Sequence, residues 1–245
     1  MEGITERFFQ IENEWNIIHL PEKPSGFGVF IIGDKHHYVD EHSSFWIQHY
    51  GRSQLLQLLM LKGYTIFYSN LYGRNWGSPE AVLLAKQLYH LVLKREILNK
   101  KIHILAEGMG ALVAMELMES MADRIRSVAM LNPCLDLKSQ IQHEKENKFF
   151  YKRMLKELSA AYQMEPKEVL NYSFPQIENY QSVVPVRIWQ KMYGSPYPYR
   201  LHSKKYEEWR KQLNSPIKLT FHFPENLHRI HHMIIHFFKE HEKEL

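Results

Sequence analysis

The stretch from Lys101 to Leu117, KIHILAEGMGALVAMEL, runs an apolar strand into a glycine-containing turn and on into an apolar-striped helix. That layout can expose a nucleophile at the apex of the turn, provided small residues flank it so that the helix packs close to the strand. Ala106, Glu107, Gly108, Met109 and Gly110 meet the spacing small, x, apex, x, small. The apex is Gly108, which has no side chain and cannot form an acyl intermediate. Backbone donors are independent of that loss: the Met109 N–H, with an amide near Gly33 or Asp34, is expected to point into a cavity and favour an anion.

Other reactive side chains lie around this turn. Glu107 precedes the apex and Asp34 follows the strand GVFIIG, so both are expected to line the mouth of the same pocket. His228, in PENLH, lies at the start of the closing helix. His228, His232 and His236 recur every four residues and so share one helical face, the spacing of a metal-ligand pair. No nearby carboxylate or cysteine completes a set, so these histidines are expected to solvate the outer face of the closing helix, with Ile230, Met233, Ile234, Ile235 and Phe237 on its core side. Cys134, in MLNPCLD, is read as a small buried residue rather than a thiol nucleophile. Ser139, Ser195 and Ser203 sit in no comparable turn. No metal and no cofactor is expected.

The elements that must position these residues follow from periodicity. RFFQI and WNIIHL form an opening hairpin across ENE, and FGVFIIG is a strand covered on both faces. A helix is expected from about Trp46 to Lys62, then the strand YTIFYSN, then a helix from Pro79 to about Arg95. Ser78, Pro79 and Glu80 supply this helix with a hydroxyl cap, a first-turn proline and a first-turn acid. There follow the strand IHILA, a helix over 109–121, the strand VAMLN, the strand PVRIW, a helix over 203–213, the strand IKLTFHF and a helix from about Asn226. This alternation predicts a doubly wound, mostly parallel α/β sheet. Residues 136–182 carry charged helical patterns without a strand and are expected to form a helical lid inserted into a single domain spanning 1–245.

With the strand order and the lid, the turn around Gly108 resembles the nucleophile elbow of the α/β-hydrolase superfamily, in particular its lysophospholipase-like and serine-aminopeptidase-like branch. SNLYGRNWGSPEA, Ser69 to Ala81, is similar to that family's D-x-R-G-x-G-x-S loop: Gly73 matches and Ser78 stands one position beyond the serine, while Asn70, Tyr72 and Asn75 replace Asp, Arg and Gly. The resemblance covers Phe8 to about Lys239. It implies a nucleophile at Gly108, an acid near Gly194 or Ser195, and a histidine at His228, of which only the histidine is present.

The chain has 245 residues, 44% hydrophobic and 24% charged, which fits one large globular domain and excludes disorder as its main description. A net charge of +4 with both signs interspersed gives no reason to expect nucleic acid. The start of the chain has no long apolar core and no run is long enough for a membrane span. A single Cys134 fits a reducing, cytoplasmic setting. The expectation is a protein that has lost serine-hydrolase chemistry and keeps a pocket for an acyl, ester or carboxylate ligand at Asp34, Glu107, Gly108, Met109 and His228. Two alternatives are a weak esterase or thioesterase in which His228 activates water, and a scaffold that docks a protein partner through the lid or its aromatic residues.

Overall fold

The computed structural model describes residues 6–223 and 227–242. Eight strands form one sheet in the order β1-β2-β4-β3-β5-β6-β7-β8. β1 (Glu6–Ile11) and β2 (Glu14–His19) make the opening hairpin, antiparallel from Glu6 against His19 to Ile11 against Glu14, with Glu12 in the left-handed region at the turn. β2 runs antiparallel to β4 (Thr65–Ser69). From there β3 (Gly28–Ile32), β5 (Ile102–Glu107), β6 (Ile125–Leu131), β7 (Val186–Lys191) and β8 (Ile217–His222) are all joined in parallel.

β3, β4 and β5 are fully buried along their length, as expected of strands covered on both faces. Alternate residues feed two cores. One, with Phe30, Ile104, Ala106 and Met130, packs under α3 (Pro79–Arg95) and α4 (Gly110–Ser120). The other, with Ile31, Leu105, Leu131 and Trp189, packs under α2 (Tyr50–Leu61) and α9 (Leu227–Glu240).

The helix expected over Trp46 to Lys62 is two: α1 (Phe45–Gln48) and α2, broken at His49, whose backbone is extended. The Ser44 side chain caps α1 by accepting from the Ile47 N–H, and the His49 carbonyl restarts the ladder by accepting from Arg52 and Ser53. α3 begins and ends where its cap predicts, with the Ser78 hydroxyl accepting from Ala81 N–H. Between β6 and β7 the chain forms α5 (Leu137–Glu144), α6 (Lys148–Tyr162) and α7 (Pro166–Asn171). Together with Trp76, Met109 and Tyr197 these helices build a third apolar cluster. α8 (Ser203–Gln212) precedes β8.

Chain order reverses at β3: its successor β4 lies on one side of it and β5 on the other. A crevice outside the carboxyl ends of such a strand pair is where ligands bind in open α/β sheets. Ile32 is in register with Ala106, so the residues two steps beyond them, Asp34 and Gly108, are brought together from 74 positions apart.

Candidate functional site

Past the end of β5 the chain turns sharply at Gly108, whose φ of 53° lies in the left-handed region that favours glycine. The following helix comes very close to β3: a Cβ on Gly110 would collide with the Ile32 carbonyl oxygen and lie 2.6 Å from that of Gly33. The turn is pinned on its other side by Gly108 N–H donating to Leu131 O (3.0 Å) and Cys134 N–H donating to Gly108 O (2.8 Å). It is therefore a formed elbow with an empty apex.

The space above the apex is taken by Asp34. A Cβ on Gly108 would lie 2.5 Å from both Asp34 carboxylate oxygens. Asp34 Oδ1 accepts a hydrogen bond from Met109 N–H (3.0 Å) and a second from the Tyr197 hydroxyl (2.7 Å). The amide expected to meet a developing oxyanion thus meets an internal carboxylate. Tyr197 is buried, and burial followed by the Asp34 charge raises its phenol well above the ordinary tyrosine value. Cys134, also fully buried, has its thiol raised by burial and by Asp34 and Asp136, so it stays protonated and inert.

The 70–78 loop closes the mouth from another side. Trp76 N–H points at Met109 Sδ (3.1 Å), and the Lys35 ammonium lies 6.0 Å from the centre of the Trp76 ring. Glu157 of α6 holds that loop: it accepts from Trp76 Nε1 (3.0 Å) and from Arg74 Nη1 (2.6 Å). Tyr162 of the same helix donates to Trp76 O (3.0 Å).

Glu107 lies elsewhere. It shares the sheet face of Leu105, the α2 side, and its carboxylate is paired with the buried Arg52 guanidinium. Burial, the largest single influence, pushes the Glu107 carboxyl up, but Arg52, His37 and Lys191 together more than offset it and hold the group below the ordinary glutamate value. His37 Nε2 stands 3.9 Å from the other oxygen, Oε2. Trp46 Nε1–H donates to His37 Nδ1 (3.1 Å), which leaves that nitrogen without a proton and agrees with a basicity lowered by burial.

His228 stands exposed on the first turn of α9, its ring 5.0 Å from that of His232 and 6.3 Å from that of His231. No hydrogen bond, ion pair or ring contact joins it to Asp34, Gly108 or Met109 among the described residues, and Asn226, the expected start of the closing helix, lies outside them. His228, His232 and His236 share the exposed side of α9, whereas His231 is buried, with both ring nitrogens unpartnered among the described residues. Among these residues no three His, Cys, Asp or Glu side chains converge as a metal set, and no helix is long and apolar enough to cross a membrane.

No protein-family model matches the chain, and no curated protein matches it in sequence. Solved structures do match in shape. The chain superposes on the acylaminoacyl peptidase of Pyrococcus horikoshii with a TM-score of 0.72 at 15% identity, covering 98% of this chain and 42% of the peptidase. On Est1E from Butyrivibrio proteoclasticus the TM-score is 0.64 at 14% identity, covering 97% and 98% of the two chains. On MGS-MChE2, an alpha/beta hydrolase enzyme from the metagenome of lagoon sediments in Mar Chica, Morocco, it is 0.59 at 14% identity, covering 96% and 98%. This chain has the α/β-hydrolase fold. It spans about two fifths of the peptidase but nearly the whole of the other two proteins.

In that hydrolase fold the loop after β7 is where the resemblance puts an acid. Here Gly194 is in the left-handed region, and the Ser195 hydroxyl is occupied with Tyr197, accepting from its N–H (3.2 Å) and donating to its carbonyl (3.1 Å). What this loop delivers to the elbow is the Tyr197 hydroxyl. Sequence reasoning passed over Tyr197 as one aromatic among many. It also passed over Arg52, although Arg52, Leu55, Leu56 and Leu59 fall on one helical stripe, a charged residue on an apolar face.

Proposed function

We propose that this chain is a non-catalytic protein of the α/β-hydrolase fold that binds a small molecule at its elbow instead of turning it over. The observation that carries the reading is the Asp34 carboxylate above Gly108: the nucleophile is absent, and its space and the adjacent amide are filled from within. Removing the serine from a serine protease costs about a million-fold in turnover. Filling the oxyanion position as well removes the electrostatic stabilisation that would otherwise persist. The helices over 137–171 act in this reading as a lid, held down through Glu157 and Trp76. The named activities of the acylaminoacyl peptidase and the hydrolase enzyme of like fold suggest the ligand class, an acyl, ester or carboxylate compound.

The test is turnover of activated short- and medium-chain esters and thioesters by the wild type, Gly108→Ser, Asp34→Ala and the double variant at equal concentration. The wild type is expected to be silent. Gly108→Ser alone is expected to stay silent, because a serine and the observed Asp34 rotamer exclude each other; the double variant is expected to exceed both singles but to stay far below a hydrolase with a full triad, because no histidine contacts the apex among the described residues. Turnover by the wild type that disappears in His228→Ala would overturn the reading in favour of a water-activating esterase.

A further inference from the structure

We infer that the Met109 amide and the Tyr197 hydroxyl form a binding site for a short monocarboxylate, and that Asp34 keeps this site closed by occupying it. The inference rests on the non-catalytic reading above and adds the ligand's chemistry and the gate.

Two donors from distant parts of the chain converge on one oxygen. Met109 N–H comes from the elbow and the Tyr197 hydroxyl from the loop after β7, at 3.0 and 2.7 Å from Asp34 Oδ1. Met109 is fully buried and Tyr197 nearly so, so the fold has already stripped both donors of water. A buried donor left without an acceptor is costly, so these two require an acceptor whenever the chain is folded. Asp34 supplies it from the rim. It is itself half-buried, and its Oδ2 takes no hydrogen bond from the described residues. The carboxylate enters with one oxygen inward, gripped twice, and one oxygen outward. A ligand carboxylate arriving from the same side would take the same pose.

Two features make Asp34 displaceable. No ion pair with a cationic side chain fixes it among the described residues, so its hold is those two hydrogen bonds. Its side chain also turns back over a residue without a Cβ, so no packing at Gly108 locks its rotamer. The charge count selects the ligand. One amide and one neutral hydroxyl suit a single negative charge and leave the second charge of a phosphate uncompensated. The apolar neighbours Trp76, Cys134 and Leu137, in the cluster that includes Met109 and Tyr197, favour a short hydrocarbon tail over a polar one.

The experiment titrates 15N-labelled protein with butyrate and follows the Met109 amide resonance, with butyramide as the uncharged analogue and inorganic phosphate as the dianion. In Asp34→Ala the site is unmasked, and butyrate is expected to shift the Met109 amide with an affinity about tenfold or more above that of the wild type, the scale of one or two hydrogen bonds released from an internal competitor. Asp34→Asn, which keeps an acceptor of the same shape, is expected to stay closed. Adding Tyr197→Phe to Asp34→Ala is expected to weaken butyrate by about threefold to tenfold, the loss of one donor. Butyramide and phosphate are expected to leave the resonance unmoved. A folded Asp34→Ala protein whose Met109 amide ignores butyrate overturns the proposal, as does equal binding by the wild type or equal response to phosphate. If Asp34→Ala does not fold, Asp34→Ser, too short to reach the amide, takes its place under the same criteria. Ester turnover by the wild type would sink the non-catalytic reading whatever the titration gives, so the two failures are distinguishable.

Discussion

The two carboxylates flanking the elbow solve opposite problems. Asp34 reaches in from the rim, is half-buried, and is held by one amide and one hydroxyl with no cation in contact among the described residues. Glu107 lies on the α2 side of the sheet, is buried, and is neutralised by an equally buried guanidinium. The first arrangement satisfies its donors and leaves the acid free to depart. The second is locked, yet several of its polar atoms are unpartnered among the described residues: Arg52 Nε and Nη1, Glu107 Oε2, and both nitrogens of His231. A buried pair of this kind contributes little net stability while intact but is costly to break. The α2 side is therefore expected to govern stability, and the Asp34 side to govern binding.

The strongest way to break that division is to remove one member of the locked pair. Arg52→Ala leaves the Glu107 charge buried and is expected to destabilise by about 3–5 kcal/mol in urea unfolding, whereas replacing both by apolar residues of similar size is expected to be near neutral. Asp34→Ala, measured in the same way, leaves the Met109 and Tyr197 donors without their acceptor and is expected to cost less than Arg52→Ala, about 1–3 kcal/mol. If the two single variants cost the same, the contrast fails.

Acid sharpens the comparison next. His231 is pushed down to about 4 by burial, with Arg52 adding to the effect, and His202 is pushed down to about 4 by burial. His202 sits where a proton would be harmful: Nδ1 accepts from Leu135 N–H (3.2 Å) and Asp136 N–H (3.3 Å) at the start of the helical excursion, and Nε2 faces Gln140 Oε1 (2.9 Å). Unfolded, both histidines take up a proton near pH 6.5; folded, neither does until about pH 4. Stability is therefore intact above pH 6.5, falls between 6.5 and 4, and levels off below. The loss is about 3 kcal/mol for a site shifted this far. His231→Phe and His202→Gln should each flatten the curve of unfolding free energy against pH, and an unchanged slope in both would refute the assignment.

Smaller effects test how tightly the elbow is built. Gly110→Ala drives a Cβ into the Ile32 and Gly33 carbonyls and is expected to cost about 1–3 kcal/mol, as overpacking does, read as a lower melting temperature. Glu157→Gln loosens the grip of α6 on Arg74 and Trp76; it is expected to cost about 1 kcal/mol or less and to speed proteolysis within the 137–171 helices while leaving the sheet intact.

The strands and most helices were legible because each announces itself locally. β3 is a continuous apolar run, and α3 is bounded by a Ser-Pro-Glu start that the structure uses as a cap. The break at His49 was not legible, because the tyrosine and glycine that restart the helix there carry no Pro or cap signal. At the site, Gly108, Met109 and Asp34 were all recognised as strand-end residues, and the structure brings these three together. Glu107 was also expected at that mouth. The side alternation of β5, which puts it with Leu105, sends it to Arg52 instead. The sequence-based view of α9 separated its core side from its histidine side, but assigned no special place to His231, whose neighbours are 179 positions earlier in the chain, at Arg52.

What the sequence alone determined is the alternation of elements, the doubly wound sheet and an elbow with nothing at its apex, because periodicity, caps and the need for small residues in a tight turn are properties of neighbouring positions. What only the tertiary structure decided is what fills that apex. Asp34, Gly108 and Tyr197 are separated by 74 and 89 positions. They meet because β3 and β5 pair in register and the loop after β7 folds back over them, and no local pattern records which of two nearby carboxylates turns toward an amide and which toward an arginine.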